Sequence, residues 1–199
     1  MTNPGPPRTI VAIVEGHGEV AAAPVLIRRI AASQEFQSRL LVKVVRIGRY
    51  ALPGPGVLES VLEQAARLGG ADGRVLILVD AEANCPAEFG PMLLRRAQSA
   101  RGDRRIRVVV AKNEYEAWFL AAAESLAGRA GLPVPIQPPE DPEAVRDAKG
   151  WLSSWMPRNH SYRPRVDQAA LSAAFDMERA RKVSPSFDKM YRAVVELLS

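Results

Sequence analysis

The chain has 199 residues, 47% of them hydrophobic, with 27 Lys and Arg against 22 Asp and Glu, which is enough apolar content for one good core with a small appended subdomain. Its one cysteine, Cys85, excludes an internal disulfide and a cysteine-based zinc cluster. No stretch supplies the roughly 18 uninterrupted apolar residues of a membrane span, and MTNPGPPR lacks the apolar core of a signal peptide; a soluble cytoplasmic protein is expected, and the formal charge of +5 favours a polyanionic partner.

Residues 1 to 8, with three prolines and a glycine, read as a mobile leader. A strand is expected at about 9 to 14. Gly16 and Gly18 turn the chain into a helix from about Val20 to Ala32, with Pro24 in its first turn or kinking it. A second strand, Leu41 to Ile47, runs into the glycine- and proline-rich loop Gly48 to Gly56. Val57, Leu58, Val61, Leu62, Ala65 and Leu68 then recur at helical spacing, and Gly69 and Gly70 end that helix. The third strand, Arg74 to Val79, delivers Asp80, and a helix is expected near Pro91 to Ala100. A fourth strand, Ile106 to Ala111, leads to NEYEAWFLAAAESL, where Asn113 reads as an N-cap and Glu116 as a first-turn acid. Strands alternating with helices predict an α/β fold, a mostly parallel sheet with helices on both faces. After the proline-rich connection Gly128 to Asp141, helices are expected at Pro142 to Trp155, Asp167 to Ala174 and Phe187 to Leu198. The organisation predicted is a leader over 1 to 8, an α/β core over 9 to 127 and a mostly helical extension over 128 to 199.

Two apolar runs stop on carboxylates: TIVAIVEGHGE reaches Glu15 and Glu19, and VLILVDAE reaches Asp80 and Glu82. Continuous apolar runs are the mark of buried parallel strands, and open α/β sheets bind ligands at the carboxyl ends of their strands. If the two strands are neighbours, all four acids share one edge. Crowded carboxylates raise one another's pKa unless a cation neutralises them, so the group is read as a divalent-metal site. Acids at i and i+2 of an extended segment point the same way, which lets Asp80 and Glu82 serve one cation or two adjacent ones. The G-x-G-x-x-G spacing of a dinucleotide loop is absent, and Glu15 and Glu19 would repel phosphates. Glu114 and Glu116 could complete a second metal position, and Lys112 or Lys149 could neutralise a phosphate. His17 reads as a loop residue, His160 as an exposed one, and Trp118, Trp151 and Trp155 as packing residues. Basic residues gather from Arg95 to Lys112 and again at Arg158, Arg163 and Arg165 around Tyr162, either group able to meet a phosphate backbone.

A strand ending in the glutamate of a VEG-x-x-E turn, followed by a later strand ending in D-x-E, resembles the Toprim domain of topoisomerases, primases, recombination proteins and OLD-type nucleases, over about residues 9 to 120. Beyond that core, NEYEAWFLA, DAKGWL and SPSFDKMYRAV resemble the stand-alone bacterial Toprim-like domain-of-unknown-function family 4276, grouped with the OLD nucleases, some of whose relatives are associated with phage defence. The resemblance implies a Toprim-like Rossmannoid sheet using Mg²⁺ (or Mn²⁺), with Glu15, Glu19, Asp80 and Glu82 as its acidic residues. Asn84 stands where several relatives have a further aspartate. No ATPase module, which OLD-type enzymes carry in the same polypeptide, is found in the chain.

The expectation is therefore a metal-dependent nuclease cleaving phosphodiester bonds in DNA or RNA. Glu15, Asp80 and Glu82 would hold the first ion, Glu19 and Glu116 a second, and Lys112 or Lys149 would offset charge on the phosphate. The alternatives are a non-catalytic nucleic-acid or nucleotide-binding module working with a separately encoded ATPase, and a hydrolase of cyclic nucleotides or other small phosphoesters.

Overall fold

The computed structural model describes residues 7–48, 51–52 and 54–199. The expected leader lies outside them up to position 6, as do positions 49, 50 and 53 of the expected loop. Four strands, Arg8–Val14 (β1), Leu40–Arg46 (β2), Arg74–Asp80 (β3) and Ile106–Ala111 (β4), form one sheet in the order β2-β1-β3-β4. Every neighbouring pair is parallel. Side chains alternate across a strand, and here both faces are covered. Ile10, Ala12, Val14, Leu76, Leu78, Val109 and Ala111 enter one apolar cluster, while Val11, Ile13, Val75, Ile77, Val79, Val108 and Val110 enter the other. That double burial is why the strands read as unbroken apolar runs.

The second cluster lies beneath the helices Val57–Gly69 (α2) and Pro86–Ala100 (α3). The first lies beneath Glu19–Ser33 (α1) and the remaining helices: Ala117–Ala121 (α4), Ala148–Trp155 (α5), Pro164–Ala174 (α6), Met177–Val183 (α7) and Pro185–Leu198 (α8). The α6 helix packs along α1, and α8 packs on β4 and β3. An aromatic chain binds this side together: Tyr115 and Trp118 ring centres lie 4.5 Å apart, Trp118 and Phe187 5.4 Å, Phe187 and Phe175 5.1 Å, and Phe175 and Phe119 5.6 Å. The polar tips are satisfied as burial requires. Trp118 Nε1 donates to Ser186 Oγ at 2.8 Å, and the Tyr115 hydroxyl meets Ser172 Oγ at 2.9 Å.

Several boundaries differ from expectation. The third helix starts at Pro86 rather than near Pro91, since a proline at the first helical position loses no bond, and Pro91 sits inside the helix. Asn113 does not cap α4. It has a positive φ of 63°, and its side-chain amide donates instead to the carbonyls of Glu143 at 2.9 Å and Val145 at 3.3 Å. The single helix expected from Pro142 to Trp155 is split into a 3₁₀ turn, Pro142–Ala144, and α5, because Asp141 caps the first and Asp147 restarts the chain by accepting from Gly150 N at 2.8 Å. The α7 helix was not expected; Asp176 caps it through Arg179 N at 3.0 Å.

The turn between β1 and α1 is pressed against the start of α6. A Cβ on Gly18 would lie 2.0 Å from Gln168 Oε1 and 2.6 Å from the Pro164 carbonyl oxygen, and the backbone oxygen cannot swing away. We expect Gly18→Ala to destabilise the fold by about 1–3 kcal/mol in urea denaturation, the usual scale for overpacking. A loss below about 0.5 kcal/mol, the range of neutral surface changes, would show that α6 does not press on this turn.

Candidate functional site

From β1 the chain moves to β2 on one side and then crosses to β3 on the other. The carboxyl ends of β1 and β3 therefore flank a topological switch point, where open α/β sheets place their ligands. Glu15 leaves β1 there and Asp80 ends β3. A cleft of about 780 Å³ opens at this edge. Glu15, Glu19, Asp80, Glu116 and Lys149 line it, with Arg46, His17, Arg163 and Arg165 among its other walls.

Local backbone bonds fix the acids. Glu19, the first residue of α1, folds back so that its Oε2 accepts from Glu15 N at 3.2 Å and Gly16 N at 3.1 Å. One carboxylate thus satisfies two donors of the turn it follows. Glu15 Oε2 accepts a long bond, 3.4 Å, from Asp80 N, which ties the ends of β1 and β3 together. Asp80 Oδ1 accepts from Tyr115 N at 2.9 Å, joining β3 to the segment after β4. Glu116, only 1% exposed, accepts from the Tyr162 hydroxyl at 3.0 Å.

The charges are strongly coupled. Burial raises Glu19 to about 7, against the pull of the Gly16 N–H bond and with further repulsion from Glu116 and Glu15. Burial and then the Glu19 charge push Asp80 well above the ordinary aspartate range, Lys149 pulls it down, and Glu116 and Glu114 push it up. Lys149 is the countercharge: its Nζ lies 2.8 Å from Glu114 Oε1 and 2.8 Å from Glu116 Oε2, and its backbone N–H donates to Glu114 Oε2 at 3.2 Å. Burial would lower the pKa of this ammonium, but the surrounding carboxylates, Glu116 first, hold it above its usual value. At the rim, Arg165 and then Arg46 depress His17, as a basic surround must.

The structure brings together Glu15, Glu19, Asp80, Glu116 and Lys149, but not two other candidates. Glu82 was expected to point with Asp80 from an extended segment. The strand ends at Asp80, however, and Glu82 lies in a turn with φ at +51°. It lines a separate pocket with Asn113, Glu114 and Arg146. Lys112 is exposed and is not part of the acidic cleft. The two basic groups also part company. Arg163 and Arg165 border the cleft, whereas Arg104 and Arg105 stand with Arg8 and Arg74 at the other end of the strands. Arg96 is paired with Glu59 at 3.1 Å, and Arg107 with Glu196.

Tyr162, Gln168 and Arg46 were not singled out from sequence as parts of the site. Gln168 is 2% exposed, and its Oε1 has no hydrogen-bond partner among the described residues. It reaches the cleft because α6 lies along α1, which no local spacing announces.

The carboxylates at this edge are hard oxygen donors, the class that Mg²⁺ takes. Among the described residues, no three Asp, Glu, His or Cys side chains converge as a ready cage. Mg²⁺ does not require one: it keeps several waters and is commonly held by one or two carboxylates together with substrate phosphate. Oxygen donors, mutual repulsion and raised pKa values at Glu19 and Asp80 fit such an ion.

Among the described residues no helix is long and apolar enough to cross a membrane. Neither a comparison with curated proteins nor one with solved structures gave a match. A family model described as a domain of unknown function, DUF4276, matches residues 14–194, a span that takes in the switch-point acids, Lys149 and most of α8, and the chain belongs to that family.

Proposed function

We propose that the protein is a Toprim-type, divalent-metal-dependent nuclease related to the OLD enzymes, and that the cleft cuts phosphodiester bonds in DNA or RNA. The observation carrying this reading is the placement of Glu15, Glu19, Asp80 and Glu116 in one cleft at the switch point, with Arg46, Arg163 and Arg165 around it. Glu15 and Asp80 would hold Mg²⁺ or Mn²⁺, and Glu19 and Glu116 would add negative charge toward it. When bound, such an ion lowers the pKa of a coordinated water and neutralises charge on the phosphate. The rim arginines would bind the non-bridging oxygens of the strand. In the metal-free cleft the Glu19 carboxyl sits near 7, and a cation beside it would shift it back toward the carboxylate form, which can accept a proton from water. Lys149 would offset negative charge in the cleft without leaving its carboxylate partners.

The Lys149 pairs also support a second reading, a non-catalytic nucleic-acid or nucleotide-binding module serving a separately encoded ATPase. A cleft that carries its own cation needs metal less.

The two readings separate in one assay. With Mg²⁺ or Mn²⁺, supercoiled plasmid, single-stranded DNA or RNA is expected to be cleaved, and Glu15→Gln and Asp80→Asn are each expected to lower the rate by about 100-fold or more, the scale of losing one catalytic group. Glu82→Gln and Lys112→Gln should stay within about threefold, well under that scale. Full activity in either Glu15→Gln or Asp80→Asn would overturn the site, and salt-sensitive binding without cleavage would select the module.

Stability should follow the same charges. Glu19 is raised from its ordinary 4.5 to about 7 in the folded protein, so the folded state holds the extra proton between those values. Its stabilising contribution is complete below about 4.5 and is lost as pH rises through about 7; Asp80 acts in the same direction. The metal-free protein is therefore expected to melt at a lower temperature at pH 8 than at pH 5.5, with a smaller difference in Glu19→Gln. Millimolar Mg²⁺ should raise the melting temperature at pH 8, and Asp80→Asn should abolish that rise. An equal fall with pH in Glu19→Gln would remove Glu19 as its source.

A further inference from the structure

The amino ends of the strands carry the opposite charge. Arg8 opens β1, Arg74 opens β3, and Arg105 immediately precedes β4. The three line a pocket of about 450 Å³ with Arg104, Asp72 and Asp103. Two of these guanidinia have evident structural work. Arg74, 6% exposed, donates through Nη1 to the Leu197 carbonyl in the last turn of α8, and Arg104 Nη1 donates to Gly70 O at 2.6 Å. Asp103 is already engaged by Arg101, at 2.8 and 2.7 Å, and by Arg104 at 3.1 Å. Helix capping and loop anchoring therefore account for Arg74 and Arg104 but leave Arg8 and Arg105 unexplained.

Among the described residues, Arg8 Nε is buried with no hydrogen-bond partner, and neither Arg8 nor Arg105 has a carboxylate within ion-pair distance. Burial first, and then the charges of Arg8 and Arg105, lower Arg74 to about 10, with Asp72 the opposing acid. Like charges drawn into one pocket destabilise the fold unless an anion enters. Guanidinium forks match phosphate oxygens two at a time.

We infer that Arg8, Arg74 and Arg105 form a second ligand site, distinct from the acidic cleft, that binds a phosphate-bearing ligand with more than one negative charge. At about 3.3 Å per residue, the length of β1 puts it roughly 20 Å from Glu15. One phosphate therefore cannot serve both ends. A ligand here would bridge the amino ends of β1 and β3, the two strands whose other ends carry Glu15 and Asp80. The site does not depend on the nuclease reading.

The test is calorimetric titration of the full chain with inorganic pyrophosphate, without divalent metal and at low salt. Binding is expected at sub-millimolar pyrophosphate, and Arg8→Gln with Arg105→Gln should weaken it at least about tenfold, the scale of losing a charge-assisted bond. Arg46→Gln with Arg163→Gln, at the rim of the acidic cleft, should leave it unchanged. A melt of the Arg8→Gln, Arg105→Gln protein in phosphate-free buffer supplies the control for folding: relief of repulsion keeps or raises the melting temperature, whereas a purely structural role lowers it. Competition then identifies the source of the phosphate. Displacement by a single-stranded oligonucleotide lacking terminal phosphates assigns a nucleic-acid backbone, and displacement by a nucleoside diphosphate alone assigns a free nucleotide. Absence of binding, unchanged affinity in the Arg8→Gln, Arg105→Gln protein, or loss of affinity in the rim variant would overturn the site.

Discussion

Acids gathered at the end of a sheet repel one another, and the Lys149 ammonium is what the chain supplies against that repulsion. Its contacts to Glu114 and Glu116 join α5 to the segment that follows β4, so the charge balance of the cleft depends on the C-terminal third being folded against the sheet. The balance is partial. Glu19 and Asp80 stay shifted toward their protonated forms although Lys149 acts on Asp80 directly. The raised Glu19 and Asp80 mark an electrostatic demand that a divalent ion or a protonation change would meet.

Backbone donors reinforce this arrangement. Glu19 accepts from the N–H groups of Glu15 and Gly16, Glu15 from Asp80, and Asp80 from Tyr115. Each bond aims a carboxylate and also ties one element to the next. Side chains held this way lose little further freedom when a ligand arrives, which is the useful state for a binding or reacting group. The cost is repulsion between charges that cannot move apart. Tyr162 and α6 close the cleft from the other side, and Gly18 is the position at which that closure leaves no room for a side chain.

The sheet was legible because both of its faces are buried, so Ile10 to Val14 and Val75 to Val79 appear as apolar runs whose ends can be counted to Glu15 and Asp80. Glu82 was misread for a physical reason: period-two reasoning holds only while the chain stays extended, and it stops being so at Asp80. Asn113 was misread because a residue with capping chemistry found other acceptors, in the Glu143 and Val145 carbonyls. The partners of Lys149 and the reach of Tyr162 to Glu116 depend on contacts between segments distant in the chain, and propensity carries no information about them. The α7 helix was hidden by its shortness, although Asp176 was in place to cap it.

Because every strand runs the same way, the two ends of the sheet are chemically different surfaces, with the crowded carboxylates at one and the arginine pocket at the other. Arginines stand at both ends: Arg46, Arg163 and Arg165 border the acidic cleft, and Arg8, Arg74, Arg104 and Arg105 line the opposite pocket. A polyanion would meet attraction at either end, and the two ends differ in what lies behind the arginines. At the cleft the floor holds the buried carboxylates Glu19 and Glu116, which oppose a close approach until their charge is compensated. The depth to which a polyanion can settle there is thus set by the charge state of the floor, without any movement of the fold.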